Sequence, residues 1–242
     1  AMGLGRCIAP DLIGMGHSDK IADPGPVTYS FDEHYRYLSA FLEHMGVTSN
    51  VTLVLHDWGS GLGFHWANQH RDAVKAIAYM EGFVRPFADW SDWDEGAASL
   101  FQGFRSEAGE NLILERNMFI ERVLPGSILR PLEESEMNEY RRPFERSEDR
   151  WPTLSWPRSI PVGGEPSGVH AKMEAYSQWL AQSDVPKLLI NAEPGAILRG
   201  ETLEYAREFP NQSEVTVKGS HFIQEDSGDE IGEHIAAWLG SL

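Results

Sequence analysis

The chain has 242 residues with 37 acidic and 20 basic side chains, which gives a formal net charge of −17 at pH 7. Binding to nucleic-acid phosphates or to anionic lipid requires a basic face, so this charge excludes both partner classes. No apolar run reaches the length of a membrane span, and the length suits one sizeable core. We therefore expect a soluble cytoplasmic protein, monomeric or weakly oligomeric, that binds a small neutral molecule.

In the first third of the chain, apolar strands alternate with an amphipathic helical pattern. The predicted elements are a strand at 6–9, a helix at 29–45, a strand at 51–55, a helix at 60–69 and a strand at 74–80. The single cysteine, Cys7, has no internal partner for a disulfide and is predicted to be a buried strand residue. Because strand alternates with helix, we expect a mostly parallel sheet with helices on both faces.

The middle of the chain has a different composition, rich in Trp, Pro, Arg and Glu and without clear buried strands. We interpret residues 83–184 as a helical cap inserted into an α/β core formed by 1–82 and 185–242. The alternating pattern then resumes with a strand at 187–191, a helix at 200–209, a strand at 214–217 and a final helix at 226–239.

Three residues that suit catalysis follow predicted strands: Asp57, Glu81 and His221. The carboxyl ends of parallel strands face one crevice, so these side chains are expected to meet there. A carboxylate at Asp57 can attack saturated carbon, His221 can deprotonate water, and Glu81 can orient the imidazole. Asp57 could instead be a helix cap, and Glu193, after a later strand, competes for the role of the acid.

The residues around Asp57 favour the catalytic interpretation. Trp58 offers a backbone N–H and an indole N–H, donors suited to a developing anion. Ser60 is an unsuitable nucleophile because an elbow serine needs glycine two positions earlier, and position 58 is Trp. Gly59, Gly61 and Gly63 are predicted to let the following helix pack closely on the sheet. They do not form a phosphate loop, and no His-Glu-x-x-His spacing occurs, so no metal is expected.

Five motifs together resemble haloalkane dehalogenases, members of the α/β-hydrolase superfamily. These are His-Asp-Trp-Gly-Ser-Gly-Leu-Gly-Phe at 56–64, Ala-Tyr-Met-Glu at 78–81, Pro-Thr-Leu-Ser-Trp-Pro-Arg at 152–158, Asn-Ala-Glu-Pro-Gly at 191–195 and His-Phe-Ile-Gln-Glu-Asp at 221–226. The resemblance covers essentially the whole chain and favours the branch whose acid follows the strand after the nucleophile.

The resemblance implies an α/β-hydrolase fold with a helical cap. It also implies a reaction that converts a haloalkane into an alcohol, a halide ion and a proton through an alkyl ester. Asp57 would be the nucleophile, Glu81 the acid, His221 the base and Trp58 a halide donor, with no cofactor.

The resemblance also implies an apolar pocket for a small halogenated aliphatic substrate. The residues implied to line it are Phe101, Phe119, Val123, Trp156, Pro157, Ile160, Ala196, Ile197 and Phe222.

Family members carry about fifty further residues before the position of Ala1, including first strands, a second backbone donor and a halide-binding asparagine. Loss of one oriented donor lowers the rate by a factor of about 100 to 1,000. We therefore expect residues 1–242 alone to be inactive and poorly soluble, and the complete protein, with that segment, to be active.

Three other functions are compatible with parts of this pattern. Epoxide hydrolases share the His-Asp-Trp-Gly elbow but need cap tyrosines, for which Tyr140 and Tyr176 are the candidates. Coelenterazine-type luciferases, which are monooxygenases, share several motifs, and a non-catalytic binding protein could use the same fold. Release of halide from a haloalkane distinguishes the first interpretation from these three.

Overall fold

The computed structural model describes residues 5–242, and four parallel strands form its sheet. The strands are β1 (Val51–His56), β2 (Val74–Gly82), β3 (Lys187–Pro194) and β4 (Gln212–Gly219), and they lie side by side in sequence order. Each neighbouring pair is parallel. The strands therefore end at one common edge, as the sequence predicted.

Successive side chains of β2 point to opposite faces of the sheet, and both faces are covered. Ile77 and Tyr79 belong to a large apolar cluster, whereas Ala78 and Met80 belong to a second cluster on the other face. The first cluster includes side chains from helices α1 (Phe31–His44) and α2 (Asp57–Gln69). Burial on both sides explains why β2 is almost uniformly apolar.

Gly63 determines how closely α2 approaches the sheet. A Cβ atom at Gly63 would lie 2.3 Å from Cδ2 of Leu55 on β1, so a larger residue would push the helix outward. The predicted role of Gly63 is therefore confirmed. The predictions for the other two glycines are wrong: Gly61 faces the Trp58 ring rather than the sheet, and a Cβ at Gly59 would meet nothing within 4 Å because Gly59 lies on the exposed face.

The chain between β2 and β3 is mainly helical. Its helices are α3 (Glu95–Arg105), α4 (Leu124–Gly126), α5 (Glu134–Arg141), α6 (Trp151–Ser159) and α7 (Ser167–Leu180). Single π-helical turns at Asn111–Glu115 and Phe119–Val123 join the first two of these. Met173, Tyr176 and Leu180 of α7 belong to the same apolar cluster as α2. The domain boundaries at 83 and 184 stay a prediction.

Two helices complete the fold after β3. They are α8 (Gly200–Arg207), whose Ala206 joins the cluster of α1 and α2, and α9 (Ile223–Leu239), whose Ile223 and Ile231 join the cluster on the other face. Helix α9 is interrupted at Ser227, where φ is −140° and ψ is 34°. Within residues 5–242, no helix is long and apolar enough to cross a lipid bilayer.

The predicted strand at 6–9 is wrong. Residues 6–9 have no regular secondary structure, and Cys7 is exposed rather than buried. An apolar run forms a strand only beside a partner strand, and in the described part of the chain β1 pairs with β2 alone. The remaining strands and helices predicted outside the middle segment are confirmed, except that α2 and α9 each begin three residues earlier than predicted.

Candidate active site

Asp57 lies at the turn between β1 and α2. His56 before it is extended, whereas Asp57 has a φ of 45° and is the first residue of α2. Positive φ is disfavoured for residues other than glycine, so this turn is a strained elbow. The side chain of Asp57 is 29% exposed, and the backbone N–H of the next residue, Trp58, favours its ionised form. The elbow therefore presents a partly accessible carboxylate beside a backbone donor.

Glu81 occupies the equivalent turn near the end of β2. Its φ is 40°, and its side chain has no exposure to solvent. The carboxylate accepts hydrogen bonds from the backbone N–H groups of Ala196 and Ile197, both at 2.9 Å, and of Leu198 at 3.3 Å. These donors satisfy the buried carboxylate oxygens, which would otherwise be costly to bury.

His221 lies between the two carboxylates. Its Nδ1 atom is 3.3 Å from Oε2 of Glu81, and its Nε2 atom is 3.3 Å from Oδ1 of Asp57. The predicted set of Asp57, Glu81 and His221 is thus brought together in one place. The ring also lies beside the Phe222 ring, with 4.8 Å between their centroids.

The two carboxylates change the protonation of the imidazole. Burial favours the neutral ring, but hydrogen bonds and charges from Asp57 and Glu81 outweigh burial and raise the pKa of His221 to about 9. For Asp57, burial raises the pKa, but the hydrogen bond and the charge of His221 outweigh burial and lower it. At neutral pH the free site therefore contains an ionised Asp57 beside a protonated His221.

Trp58 follows the elbow and is 5% exposed. Its ring stacks on Trp156 and packs against Phe83, with centroid distances of 4.7 Å in both cases. Aromatic side chains thus surround the Trp58 indole, and the backbone N–H of the same residue adjoins Asp57.

The residues predicted to line a pocket fall into connected apolar clusters around this indole. Trp156 and Ile160, with Phe101 and Ile197, belong to the cluster that contains Trp58. Val123 belongs to a second cluster, to which Phe101 and Phe119 also contribute, and Phe222 packs with Phe119 in a third. Pro157 is buried in α6, and Ala196 contributes its backbone N–H to Glu81.

Two cavities lie away from Asp57. One, of about 360 Å³, lies beside Trp90 and Trp93, and the other, of about 500 Å³, lies beside Arg130 and Glu225. Neither is bordered by a residue of the predicted pocket, whose lining therefore stays a prediction.

The competing site residues have other contacts. Glu193 is exposed, whereas Oε2 of Glu81 lies next to His221. Ser60 is buried, donates to the Asp57 carbonyl and accepts from the Phe83 backbone N–H, so it supports the elbow. The hydroxyl of Tyr176 donates to the Phe83 carbonyl at 2.6 Å, and the hydroxyl of Tyr140 bonds Glu225.

Sequence reasoning did not assign roles to three residues that contact this site. The Nε2–H of His56 donates to the His221 carbonyl at 2.7 Å. Gly195 has a φ of 65°, and a Cβ there would lie 3.0 Å from Oε1 of Glu81. Asp226 accepts a hydrogen bond from the Ser220 backbone N–H. The Pro194-Gly195 pair predicts a turn at Gly195, whereas no local sequence pattern predicts the contacts of His56 and Asp226.

A parallel sheet with an elbow after β1 and a histidine after β4 defines an α/β hydrolase, here with aspartate at the elbow. The sequence profile of the alpha/beta hydrolase fold matches residues 6–228. A haloalkane dehalogenase of Sphingobium indicum is 55% identical over 99% of this chain and 81% of its own length. One from Mycolicibacterium smegmatis is 52% identical over 99% of this chain and 78% of its own.

A crystal structure with the same fold supports the assignment. The haloalkane dehalogenase DbeA from Bradyrhizobium elkani superimposes with a TM-score of 0.92 at 41% identity, covering 98% of this chain and 81% of that one. The chain belongs to the haloalkane dehalogenase family, hydrolases that act on carbon–halide bonds. The epoxide hydrolase and luciferase alternatives are not favoured by these relatives.

Proposed function

We propose that the reaction begins with attack by Asp57 on the carbon that carries the halogen. A carboxylate oxygen forms a bond to this carbon, the carbon–halogen bond breaks, and the electron pair leaves with the halide ion. The indole N–H of Trp58 donates to the departing halide, and an indole suits this role because it donates but cannot accept. The product of this step is an alkyl ester on Asp57.

In the second step, water cleaves the ester. His221 takes one proton from the water, and the water oxygen attacks the ester carbonyl carbon. The bond from this carbon to the alkyl oxygen then breaks, and this oxygen takes the second proton of the water, so that the alcohol leaves as the Asp57 carboxylate re-forms. The proton on His221 passes to solvent. The backbone N–H of Trp58, which already favours the ionised form of the free carboxylate, stabilises the negative charge on the carbonyl oxygen during this attack. Glu81 keeps the Nδ1–H of the imidazole oriented.

The charges of the site suit this order of steps. In the free protein, burial lowers the pKa of His221, but the carboxylates of Asp57 and Glu81 raise it by more, to about 9. Ester formation removes the negative charge of Asp57, so the pKa of His221 falls. The imidazole then loses its proton and becomes available as a base at the stage that needs one.

The observation that carries the proposal is the position of His221 between Asp57 and Glu81, 3.3 Å from each. In this arrangement the imidazole of His221 is the base, the carboxylate nucleophile lies at its Nε2 atom, and the acid lies at its Nδ1 atom. We further propose that residues 83–184 form a cap over a pocket for small halogenated aliphatic substrates. The apolar clusters around Trp58 support this part of the proposal.

The experiment is to trap the ester in a His221→Gln variant. Attack on carbon does not need the base, but water activation does, so treatment with 1-bromobutane should add one butyl group to Asp57. Peptide mass spectrometry locates the adduct, and bromide release should equal one ion per protein. An Asp57→Asn variant should show neither adduct nor bromide. Bromide release by the His221→Gln variant without any adduct on Asp57 would contradict the covalent route.

A further inference from the structure

The segment that carries the proposed base lies between two regular elements. Strand β4 ends at Gly219, and helix α9 is interrupted at Ser227. The Ser227 hydroxyl donates to the Lys218 carbonyl at 2.6 Å, which brings the two ends of the segment together. Residues 220–226, which we call the histidine segment, therefore form a short loop and a single helical turn. Contacts outside the strand and the main part of α9 must fix the position of His221.

Asp226 provides the contacts that join the histidine segment to the middle of the chain. Its Oδ2 atom accepts a hydrogen bond from the Ser220 backbone N–H at 3.1 Å. Its Oδ1 atom accepts from the backbone N–H groups of Leu129 at 2.9 Å and Arg130 at 3.1 Å, and the Leu129 N–H also lies 3.1 Å from Oδ2. One carboxylate thus binds the residue before His221 on one side and the chain after α4 on the other. Hydrogen bonds to a charged acceptor are stronger than those between neutral groups.

Neighbouring contacts hold the same two parts of the chain together. The Phe222 backbone N–H donates to the Ser127 carbonyl at 3.0 Å. The Arg130 guanidinium lies 2.6 Å from the Glu225 carboxylate and also donates to the Glu225 carbonyl at 2.8 Å. The Arg130 contacts restrain the end of the histidine segment, and the Phe222 contact lies directly after the base, whose own carbonyl accepts from His56. The bond from Ser220 to Asp226 restrains the beginning of the segment, directly before the base.

We infer that Asp226 is a positioning residue for the second step, because its hydrogen bond to Ser220 fixes the backbone that carries His221. The inference rests on the proposed function of His221 as the base. A base acts only within hydrogen-bond reach of the water, and a displacement of about 1 Å can lower a rate by about 100-fold. Attack by Asp57 on carbon needs no base. Loss of the Ser220 contact should therefore slow ester hydrolysis and leave ester formation unchanged.

The test measures both steps in single turnovers with 1-bromobutane, using rapid quenching and mass spectrometry of the Asp57 peptide. In Asp226→Ala, we expect ester formation within twofold of the unchanged protein and ester hydrolysis at least tenfold slower. In Asp226→Asn, the amide oxygen can still accept from Leu129 and Arg130, but the amide nitrogen cannot accept from Ser220. This variant should also hydrolyse the ester at least fivefold more slowly, and it carries the test if the alanine variant fails to fold.

The control is Asp229→Asn, which changes an exposed carboxylate on the same helix. It should leave both steps unchanged. A purely structural role for Asp226 would lower ester formation and hydrolysis together, and that result would overturn the inference. Equal hydrolysis rates in the Asp226→Asn variant and the unchanged protein would also overturn it. If no ester forms on Asp57 even in His221→Gln, the proposed function fails instead, so the two failures can be told apart.

Discussion

Oε2 of Glu81 lies 3.3 Å from Nδ1 of His221, although 140 residues separate them in sequence. The same oxygen accepts hydrogen bonds from the backbone N–H groups of Ala196 and Ile197. The loop after β3 therefore fixes the orientation of the acid, and the acid fixes the orientation of the imidazole. This chain of contacts leads to specific expectations for variants in each part of it.

Replacement of Glu81 by Gln should lower the pKa of His221, because one of the two carboxylates that raise it to about 9 is removed. NMR titration of the His221 ring measures this change. Hydrolysis of the ester should slow by at least about tenfold as the imidazole loses its orienting partner. The matched control is Glu193→Gln, at an exposed position after β3. A larger effect of the control on the His221 titration would reassign the acid to Glu193.

Replacement of Gly195 by Ala should slow ester hydrolysis, because the new Cβ would lie 3.0 Å from Oε1 of Glu81 and 2.9 Å from the Ala192 carbonyl oxygen. Gly163→Ala is the matched control, since Gly163 has a similar φ of 62° but its nearest atom would be 3.7 Å away. Both variants should lose about 1 kcal/mol of unfolding free energy from the disfavoured φ. Only the Gly195 variant should lose activity, as single-turnover kinetics would show.

Replacement of Trp58 by Phe should slow ester formation by about 100-fold, because the indole donor to the halide is removed. Ester hydrolysis should stay within a few-fold of the unchanged rate, since the backbone N–H of Trp58 remains. Rapid-quench measurements separate these rates. Trp238→Phe, in α9 on the other face of the sheet, is the control. Equal slowing of both steps by Trp58→Phe would argue against a halide-binding role.

Replacement of Asp57 by Ala should abolish turnover, with halide release reduced by at least about 1,000-fold, because no nucleophile remains. Halide-sensitive assays measure this directly. Asp72→Ala removes an exposed carboxylate and should retain full activity. Substantial halide release by the Asp57 variant would remove the assignment of the nucleophile.

His34 should make stability depend on pH. Its ring is fully buried and stacks on Trp156 with 4.3 Å between centroids, and neither ring nitrogen has a hydrogen-bond partner among residues 5–242. Burial lowers the pKa of His34 from 6.5 to about 4, so protonation favours the unfolded state. The part of the unfolding free energy that depends on a neutral His34 is fully present above pH 6.5. It is lost as the pH falls from 6.5 to about 4.

A His34→Phe variant should therefore keep the stacking and lose this pH dependence. A pKa lowered from 6.5 to about 4 corresponds to about 3 kcal/mol of unfolding free energy. Urea unfolding at pH 7 and at pH 4 should show that the unfolding free energy of the unchanged protein falls by about 3 kcal/mol more than that of the variant. His234→Gln, on the partly exposed face of α9, should behave like the unchanged protein. Identical pH dependence in His34→Phe and the unchanged protein would contradict this account.

The sequence predicted most of the sheet because its strands are short apolar runs separated by helical periodicity. Residues 6–9 have the same local character and form no strand, since a strand depends on hydrogen bonds to a neighbour that the local sequence does not specify. Conversely, the early start of α2 at Asp57 could not be predicted from propensity. That start depends on a positive φ, which tertiary contacts impose.

The proximity of Asp57, Glu81 and His221, which we propose to react, was predictable because parallel strands all end at one edge. The groups that hold them were not predictable in the same way. The donors at 196–198 are backbone N–H groups, which do not depend on the type of residue at those positions. The turn at Gly195 directs them toward Glu81. The contact between Asp226 and Ser220 likewise depends on the interruption of α9.

Gly63 packs against Leu55 two turns of helix away from Asp57. Because Asp57 is the first residue of that helix, a side chain at position 63 that pushed the helix outward would also shift the residue proposed as the nucleophile. A substitution that never touches the substrate would in this way alter the geometry of the attack.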